Sequence, residues 1–499
     1  MKSFTVLSLV LFFFVQSLVL AEPVSGTNKK TKTDAAATAV GLKQFGFDLF
    51  KSLKAAGGED AVAISPLSIG EALALATNGS ELDTKVELEG VLGSKVATLN
   101  TGLKNIRESL NDFAKRSNGI FEYKSANSLW ANSNPSVGFT FEPNFLKTAK
   151  RLFEATLETR DFATLIDKGE HKGEQKAVVD INDWVGKQTN HKITKLLTKL
   201  NDNDVAVILN AIYAKGKFSN HFSELSEAIY GSVDGALQHP VSMMTKTENM
   251  DYYLDEQTGL EAFSFKVEAS PDEEGAVRDQ IALDILVPKT GGVTELAKVL
   301  DAAYYNKVVA GLQPQMVKLT MPAGKIVQGK AATLKPVLEQ PPFNMLRIFS
   351  DSLAQFNPLG SVEDKAKLYV SDILTKTFYE TSPFGFEAAA ATAVVLSKET
   401  AGINPPEPIQ RTIASSSLHV IRHIPSGLPL FIVEYDRPKR YTQAEIVELV
   451  REGHKTKRRL TAETEEGKIS AAYDEKTKKE VIALVDENYE ILKVLATLD

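Results

Sequence analysis

The chain of 499 residues contains no cysteine. That excludes disulfides, thiol nucleophiles and zinc–thiolate sites, so a fold of this size must be held by packing, which favours one large core over several small stapled modules. Long apolar runs are scarce as well. The notable one stands at the N-terminus, where Lys2 precedes Leu9-Val-Leu-Phe-Phe-Phe-Val15 and the stretch ends at the small-residue site Val19-Leu20-Ala21. It is too short for a comfortable membrane span and has the layout of a secretory signal peptide, residues 1–21, followed by a polar, flexible segment at 22–35. No later stretch reaches spanning length, so the mature protein is expected to be secreted, extracellular and free of the membrane. Strong charge of one sign is also missing. A net charge of −7 and a pI near 5.7 argue against a general affinity for nucleic acid.

The usual catalytic patterns are absent: there is no Gly-x-Ser-x-Gly elbow, no phosphate-cradling glycine loop and no His-Glu-x-x-His helix. Of seven histidines, only His419 and His423 sit four apart, in the strand-like run Leu418-His-Val-Ile-Arg-His-Ile424. Alternation puts both on one face, where packed histidines are the expected reading over a metal pair. The chain is therefore not expected to be an enzyme or to carry a metal or cofactor.

What is present is ordinary globular composition, 43% hydrophobic and 24% charged. Phe45, Leu49, Phe50 and Leu53 recur at helical spacing, and Leu67, Ile69, Leu73 and Leu75 follow a Ser65-Pro66 start. Val205-Ala-Val-Ile-Leu-Asn-Ala-Ile-Tyr213 and Ile281-Ala-Leu-Asp-Ile-Leu-Val287 read as strands suited to the middle of a sheet. Helices and strands interleave without a βαβ rhythm or an internal repeat, so the fold class is α+β. Asn78-Gly79-Ser80 is a glycosylation acceptor pattern for a secreted chain.

After Pro438 the character changes. Lys439-Arg440 opens a charged tail, 439–499, with a second basic cluster at Lys455-Thr-Lys-Arg-Arg459. Both clusters read as solvated charge, with processing by a convertase as the alternative. Val481, Leu484, Val485, Leu492, Leu495 and Leu498 repeat at helical spacing, which predicts one or two amphipathic helices docked on the main body, with docking on a partner as the alternative.

The most unusual segment is Gly385-Phe-Glu-Ala-Ala-Ala-Ala-Thr-Ala-Val-Val-Leu396, with a Pro-rich exit at Pro405-Pro-Glu-Pro408. Four alanines taken alone favour a helix. The run follows a strand-like stretch, Leu368 to Leu374 and Phe378-Tyr379, and ends in β-branched residues. A chain that must slip between existing strands needs small side chains on the face that enters the core.

From about Ala36 to Pro438 the sequence resembles the serpin family. The resemblance rests on an ordered set: Ala63-Ile-Ser-Pro-Leu-Ser-Ile69, Ser125-Ala-Asn-Ser-Leu-Trp130, Ile181-Asn-Asp-Trp-Val185, Leu209-Asn-Ala-Ile-Tyr-Ala-Lys-Gly-Lys217, Val241-Ser-Met-Met244, Ile373 to Thr392, and Ile421-Arg-His-Ile-Pro-Ser-Gly427. It implies a serpin domain over 36–438 with three β-sheets, eight or nine helices and an exposed reactive loop that baits an extracellular serine protease. In the family mechanism the protease cleaves the loop as a suicide substrate, and the freed loop inserts into the main sheet while the acyl-enzyme is dragged away. About ten inserted residues would supply on the order of 10–20 kcal/mol in ladder bonds before chain-ordering costs. The native state is then held by a kinetic barrier.

By family spacing the hinge is Gly385, Phe386, Glu387, Ala388, Ala389, Ala390, Ala391 and Thr392, and the scissile bond lies between Glu399 and Thr400, with cleavage after Lys398 or Leu396 as alternatives. The gate that controls sheet opening maps to Ser65, Ser68, Asn210 and Thr375. Several positions depart from the family. Pro383, Phe384 and Phe386 replace the usual acidic and small hinge residues, Ala323 stands where a basic partner is expected, and Phe218 where a tryptophan is. Phe386 should face inward, where overpacking typically costs about 1–3 kcal/mol. Removing both the hinge acid and its basic partner leaves no stranded charge. The inhibitor reading has a rival, a non-inhibitory member that is cut as an ordinary substrate and serves as a carrier or binding protein. An auxiliary glycosaminoglycan partner is suggested by Lys104, Arg107, Lys115, Arg116 and Lys124, and the protein is expected to be a monomer.

Overall fold

The computed structural model describes residues 26–57, 61–202, 204–231, 238–267, 279–327, 331–362, 368–386, 407–457, 460–464 and 466–498. Helix α1 (Gly26–Ala56) turns Leu42, Phe45, Leu49 and Phe50 into the core. It begins earlier than the sequence suggests, so most of the expected flexible segment at 22–35 is helical from Gly26 onward. In α2 (Pro66–Asn78) the Ser65 side chain caps the helix by accepting from Ser68 N, and Pro66 occupies the first turn, where its missing N–H costs nothing. The remaining helices are α3 (Leu82–Val91), α4 (Val96–Arg116), α5 (Pro143–Phe153), α6 (Lys176–Gln188), α7 (Gly292–Val299), α8 (Ala302–Gly311), α9 (Lys335–Leu338) and α10 (Gln443–Lys455).

Three sheets organise the molecule. The main sheet runs β4 (Thr156–Arg160), β2 (Phe121–Asn132), β5 (Ala206–Lys217), β15 (Gly385–Phe386), β14 (Phe378–Ser382) and the C-terminal end of β10 (Gln313–Val327). A second sheet runs β1 (Ala63–Ile64), β18 (Leu428–Tyr435), β17 (Ser417–His423), β9 (Ile281–Val287), β8 (Leu260–Lys266) and β7 (Gln238–Asp255). Its strands β17 and β18 are buried along their whole length, which explains their nearly continuous apolar sequence. The third sheet contains β16 (Ile409–Thr412), β10, β7 and β6 (Glu224–Gly231). Two short pairings, β3 (Thr140–Phe141) with β12 (Gly360–Ser361) and β11 (Ala332–Thr333) with β13 (Leu374–Thr375), complete the set.

The tail differs from expectation. Helix α10 forms, closed by a capping box between Thr442 and Glu445. Residues 461–497 are strands: β19 (Thr461–Thr464) pairs in parallel with β6, and β20 (Gly467–Asp474), β21 (Lys479–Val485) and β22 (Ile491–Thr497) follow as antiparallel neighbours. The third sheet therefore continues through the extension. In β21, Val481, Ala483 and Val485 are buried on one face while Ile482 and Leu484 join the main core on the other. A strand buried on both faces has no alternation, and its apolar run imitates helical spacing.

Candidate functional site

The site lies at the top of the main sheet, where β14 and β5 run side by side. Strand β14 turns at Pro383-Phe384 and returns as β15, which fits between the two: Thr381 and Ser382 pair with Phe386 and Gly385 on one side, and Gly216 and Lys217 pair with Phe386 and Gly385 on the other. The carbonyls of Pro383 and Phe384 accept from Phe222 N (2.8 Å) and Phe218 N (2.9 Å), so the turn is tied to the end of β5. A side chain at Gly385 would run into the Gly216 carbonyl, so only glycine fits there.

Phe386 is buried, as its inward orientation requires. The expected overpacking is absent for a local reason. Its partner across the ladder is Gly216, and a Cβ at that position would come within 2.6 Å of the Phe386 ring. The missing side chain on β5 is the space that the phenyl ring uses.

Below the hinge, cavities follow the seam down β5. The first, about 20 Å³, is lined by Ile212, Ala214, Phe378, Glu380 and Phe386 over a floor of Phe431. A second of about 30 Å³ is bordered by Ser65, Ser68, Ile208, Ile373 and Thr375. A third of about 70 Å³ lies between Ala72, Ala206, Phe356 and Tyr369. Among the described residues, β15 is the strand that bridges β5 and β14, and below it the two edges carry no ladder pairing to each other.

Of the gate residues, Ser65, Ser68 and Thr375 meet at the second cavity. Ser65 Oγ donates to Leu430 O at 2.6 Å and accepts from Ser68 N at 3.1 Å. Thr375 pairs with Ala332. Asn210 sits opposite Asn127 of β2 in the ladder, and its side chain lies outside the described residues. Glu387, Ala388, Ala389, Ala390, Ala391, Thr392, Leu396, Lys398, Glu399 and Thr400 also lie outside them.

Beneath the hinge the main sheet rests on a buried polar cluster. Tyr379 Oη and His419 Nδ1 are 2.8 Å apart, Ser417 Oγ bonds the other ring nitrogen, and His419 stacks on Tyr435 at 4.3 Å. Burial pushes His419 down to about 3 and His423 to about 4, so both rings are neutral at physiological pH. His423 bonds Ser109 and Ser426. The two histidines thus serve separate hydroxyl networks, and among the described residues no cluster suited to a metal ion occurs. Thr381 Oγ1 bonds Tyr435 Oη at 2.7 Å, and Tyr435 donates to Gly324 O. Ala323 is buried, pairs with Ser242 and brings no charge to this corner.

Of the basic residues considered for a glycosaminoglycan, Lys104, Arg107, Lys115 and Arg116 lie on α4 and Lys124 on β2. Arg107 is buried and paired with Glu71 at 2.8 Å, which corrects its assignment to a glycosaminoglycan patch. Lys104 and Arg116 pair with Glu108 and Asp112 on their own helix, and Lys124 donates to Asn190. Asn78 ends α2 half-buried, its amide donating to Ala74 O and Asn100 Oδ1, so a sugar at that nitrogen would displace bonds within the fold. Sequence reasoning missed Tyr441, which lies in the extension. Its hydroxyl donates to Thr381 O at 2.7 Å and lies 3.2 Å from Glu380. Burial pushes Glu380 up, partly opposed by the charges of Lys325 and Lys192.

Comparison with known proteins agrees with this geometry. A family model described as "Serpin (serine protease inhibitor)" matches residues 41–438. The leukocyte elastase inhibitor of Xenopus tropicalis is 27% identical over 355 residues, covering 70% of this chain and 87% of that protein. The native-state structure of the thermophilic serpin tengpin superposes with a TM-score of 0.66 at 24% identity, covering 79% of this chain and 93% of that one. Thyroxine-binding globulin in complex with thyroxine gives 0.63 at 20% identity over 80% and 99% of the two chains.

Proposed function

The chain belongs to the serpin family, and on that premise we propose that it is a secreted inhibitor of an extracellular serine protease that acts as a suicide substrate. The observation that carries this reading is the hinge. Gly385 and Phe386 already occupy the first two rungs between β14 and β5, above a seam with no ladder pairing across it among the described residues. Insertion of the loop would continue the ladder that these two residues begin.

The protease serine attacks the scissile carbonyl, taken here as that of Glu399, and the peptide bond to Thr400 breaks as the acyl ester forms. The leaving group is the new amino terminus at Thr400, which belongs to the C-terminal part of the chain, whose strands β16 to β18 stay paired in their sheets. The loop then extends the β15 ladder downward, each residue satisfying donors and acceptors on the facing edges of β5 and β14. Movement of the tethered ester distorts the protease before water can release it. Room for the Phe386 ring over Gly216 supports this step.

Incubation with serine proteases of different primary specificity, read on denaturing gels with mass spectrometry, tests the proposal. A protease-sized covalent adduct and a fragment beginning at Thr400 are expected; fragments beginning at Glu399 or Ser397 would assign the bond to Lys398 or Leu396. Clean cleavage with no adduct from any protease would replace the inhibitor with a non-inhibitory carrier or binding protein.

A further inference from the structure

The C-terminal extension touches the main sheet at the stem of the loop. Lys439 exchanges backbone hydrogen bonds with Lys325 of β10, at 3.3 and 2.9 Å, adding one rung to the edge of the main sheet. Two residues on, Tyr441 is buried and its hydroxyl reaches Thr381 O, while its backbone N–H donates to Ser242 Oγ on β7. The next turn returns to the same place, since Glu445 closes the capping box of α10 and also accepts from Lys325 Nζ at 2.6 Å. Beyond the helix, β19 takes the edge of β6. One continuous segment therefore ties β14 and β10 to β7 and β6.

Thr381 is the residue that faces Phe386 across the hinge hairpin and Gly324 across β10. Fixing its carbonyl fixes the template on which the hinge is laid. We propose that Tyr441 is a positioning residue: through it the extension holds the stem of the loop so that Gly385 and Phe386 stay seated between β14 and β5. The mechanical link is short. Tyr441 holds the Thr381 carbonyl, Thr381 lies in register with Phe386, and Phe386 fills the space over Gly216. The pair Lys325–Glu445 holds the start of α10 against the same edge and supports Tyr441 from outside. The significance of a seated hinge rests on the trapping mechanism proposed above, whereas the seating itself is a property of the uncleaved protein and is measured without any protease.

Hydrogen–deuterium exchange on the full chain, read in peptides covering 378–386 and 417–435, provides the test. Tyr441→Phe keeps the ring and removes the hydroxyl, and Glu445→Gln keeps a capping side chain while removing the charge. In Tyr441→Phe the amides of 385 and 386 are expected to exchange about tenfold faster, the effect of one buried hydrogen bond. The strands at 417–435 should not change, and Glu445→Gln should act in the same direction by a smaller factor. Unchanged exchange at the hinge in both variants would overturn the assignment, and so would an equal rise at 417–435, which marks general destabilisation. Adduct formation by the unmodified protein is scored separately, so a failure of trapping and a failure of positioning give different results.

Discussion

At the scale of single residues, the hinge depends on a complementary pair. Phe386 departs from the small residue expected there, and Gly216 opposite it supplies the room. Gly216→Ala should therefore cost about 1–3 kcal/mol in denaturant unfolding. Part of that cost comes from Val267, whose side chain also crowds the new methyl group, and this part should persist when Phe386 is replaced by alanine. The double-mutant cycle should show coupling above about 0.5 kcal/mol; strictly additive costs would mean that the ring does not rely on the glycine. Phe386 was legible as an inward residue from its place after Gly385. Its accommodation was not, because the compensating residue is far away in sequence and glycines in strands have several uses.

At the scale of elements, the attachment of the extension carries two carboxyls with opposite pH behaviour. Burial works against ionisation of Glu445, but hydrogen bonds from Lys325 and Thr442 win and hold it at about 2. Its contribution is present above its ordinary value near 4.5 and is lost as pH falls toward about 2. Glu380 is shifted upward, so its contribution is complete below 4.5 and is lost as pH rises through its folded value. Thermal unfolding followed from pH 2 to 8 should show both limbs, with Glu445→Gln flattening the acid limb and Glu380→Gln the alkaline one. Neither partner was visible beforehand. Strand β9 could be read from the sequence to both of its ends, because Pro288 follows a short apolar run. Strands β20 to β22 could not, since Val481, Leu484 and Val485 fit a helix as well as a doubly buried strand and only their partners decide.

At the scale of the whole molecule, the native fold leaves its main sheet incomplete. The seam keeps cavities of about 20, 30 and 70 Å³, and the ladder below β15 has no inserted strand among the described residues. Filling it should yield a more stable molecule than the one first folded. Cleavage of the loop by a non-target protease is expected to raise the apparent melting temperature by at least about 10 °C, given the small shift per kcal/mol in a chain of this size. The uncleaved protein should show a scan-rate-dependent midpoint. An unchanged midpoint after verified cleavage would mean that the loop does not enter. The family and the α+β class were legible across most of the chain because the supporting motifs are spread from Ala63 to Gly427. The seated hinge was not, since it depends on how far two sheet edges stand apart.

Helix α1 rests on β18, and Lys54 reaches across to Glu434 at 2.8 Å, a separation of 380 residues along the chain. On a ribosome adding roughly 5–20 residues per second, the helix waits on the order of 20–80 s for the strand that covers it. During that interval the face of α1 that meets β18 lacks its final cover. The demand for protection during synthesis thus falls on α1, and a change that leaves the finished structure intact but speeds aggregation should map to its inner face.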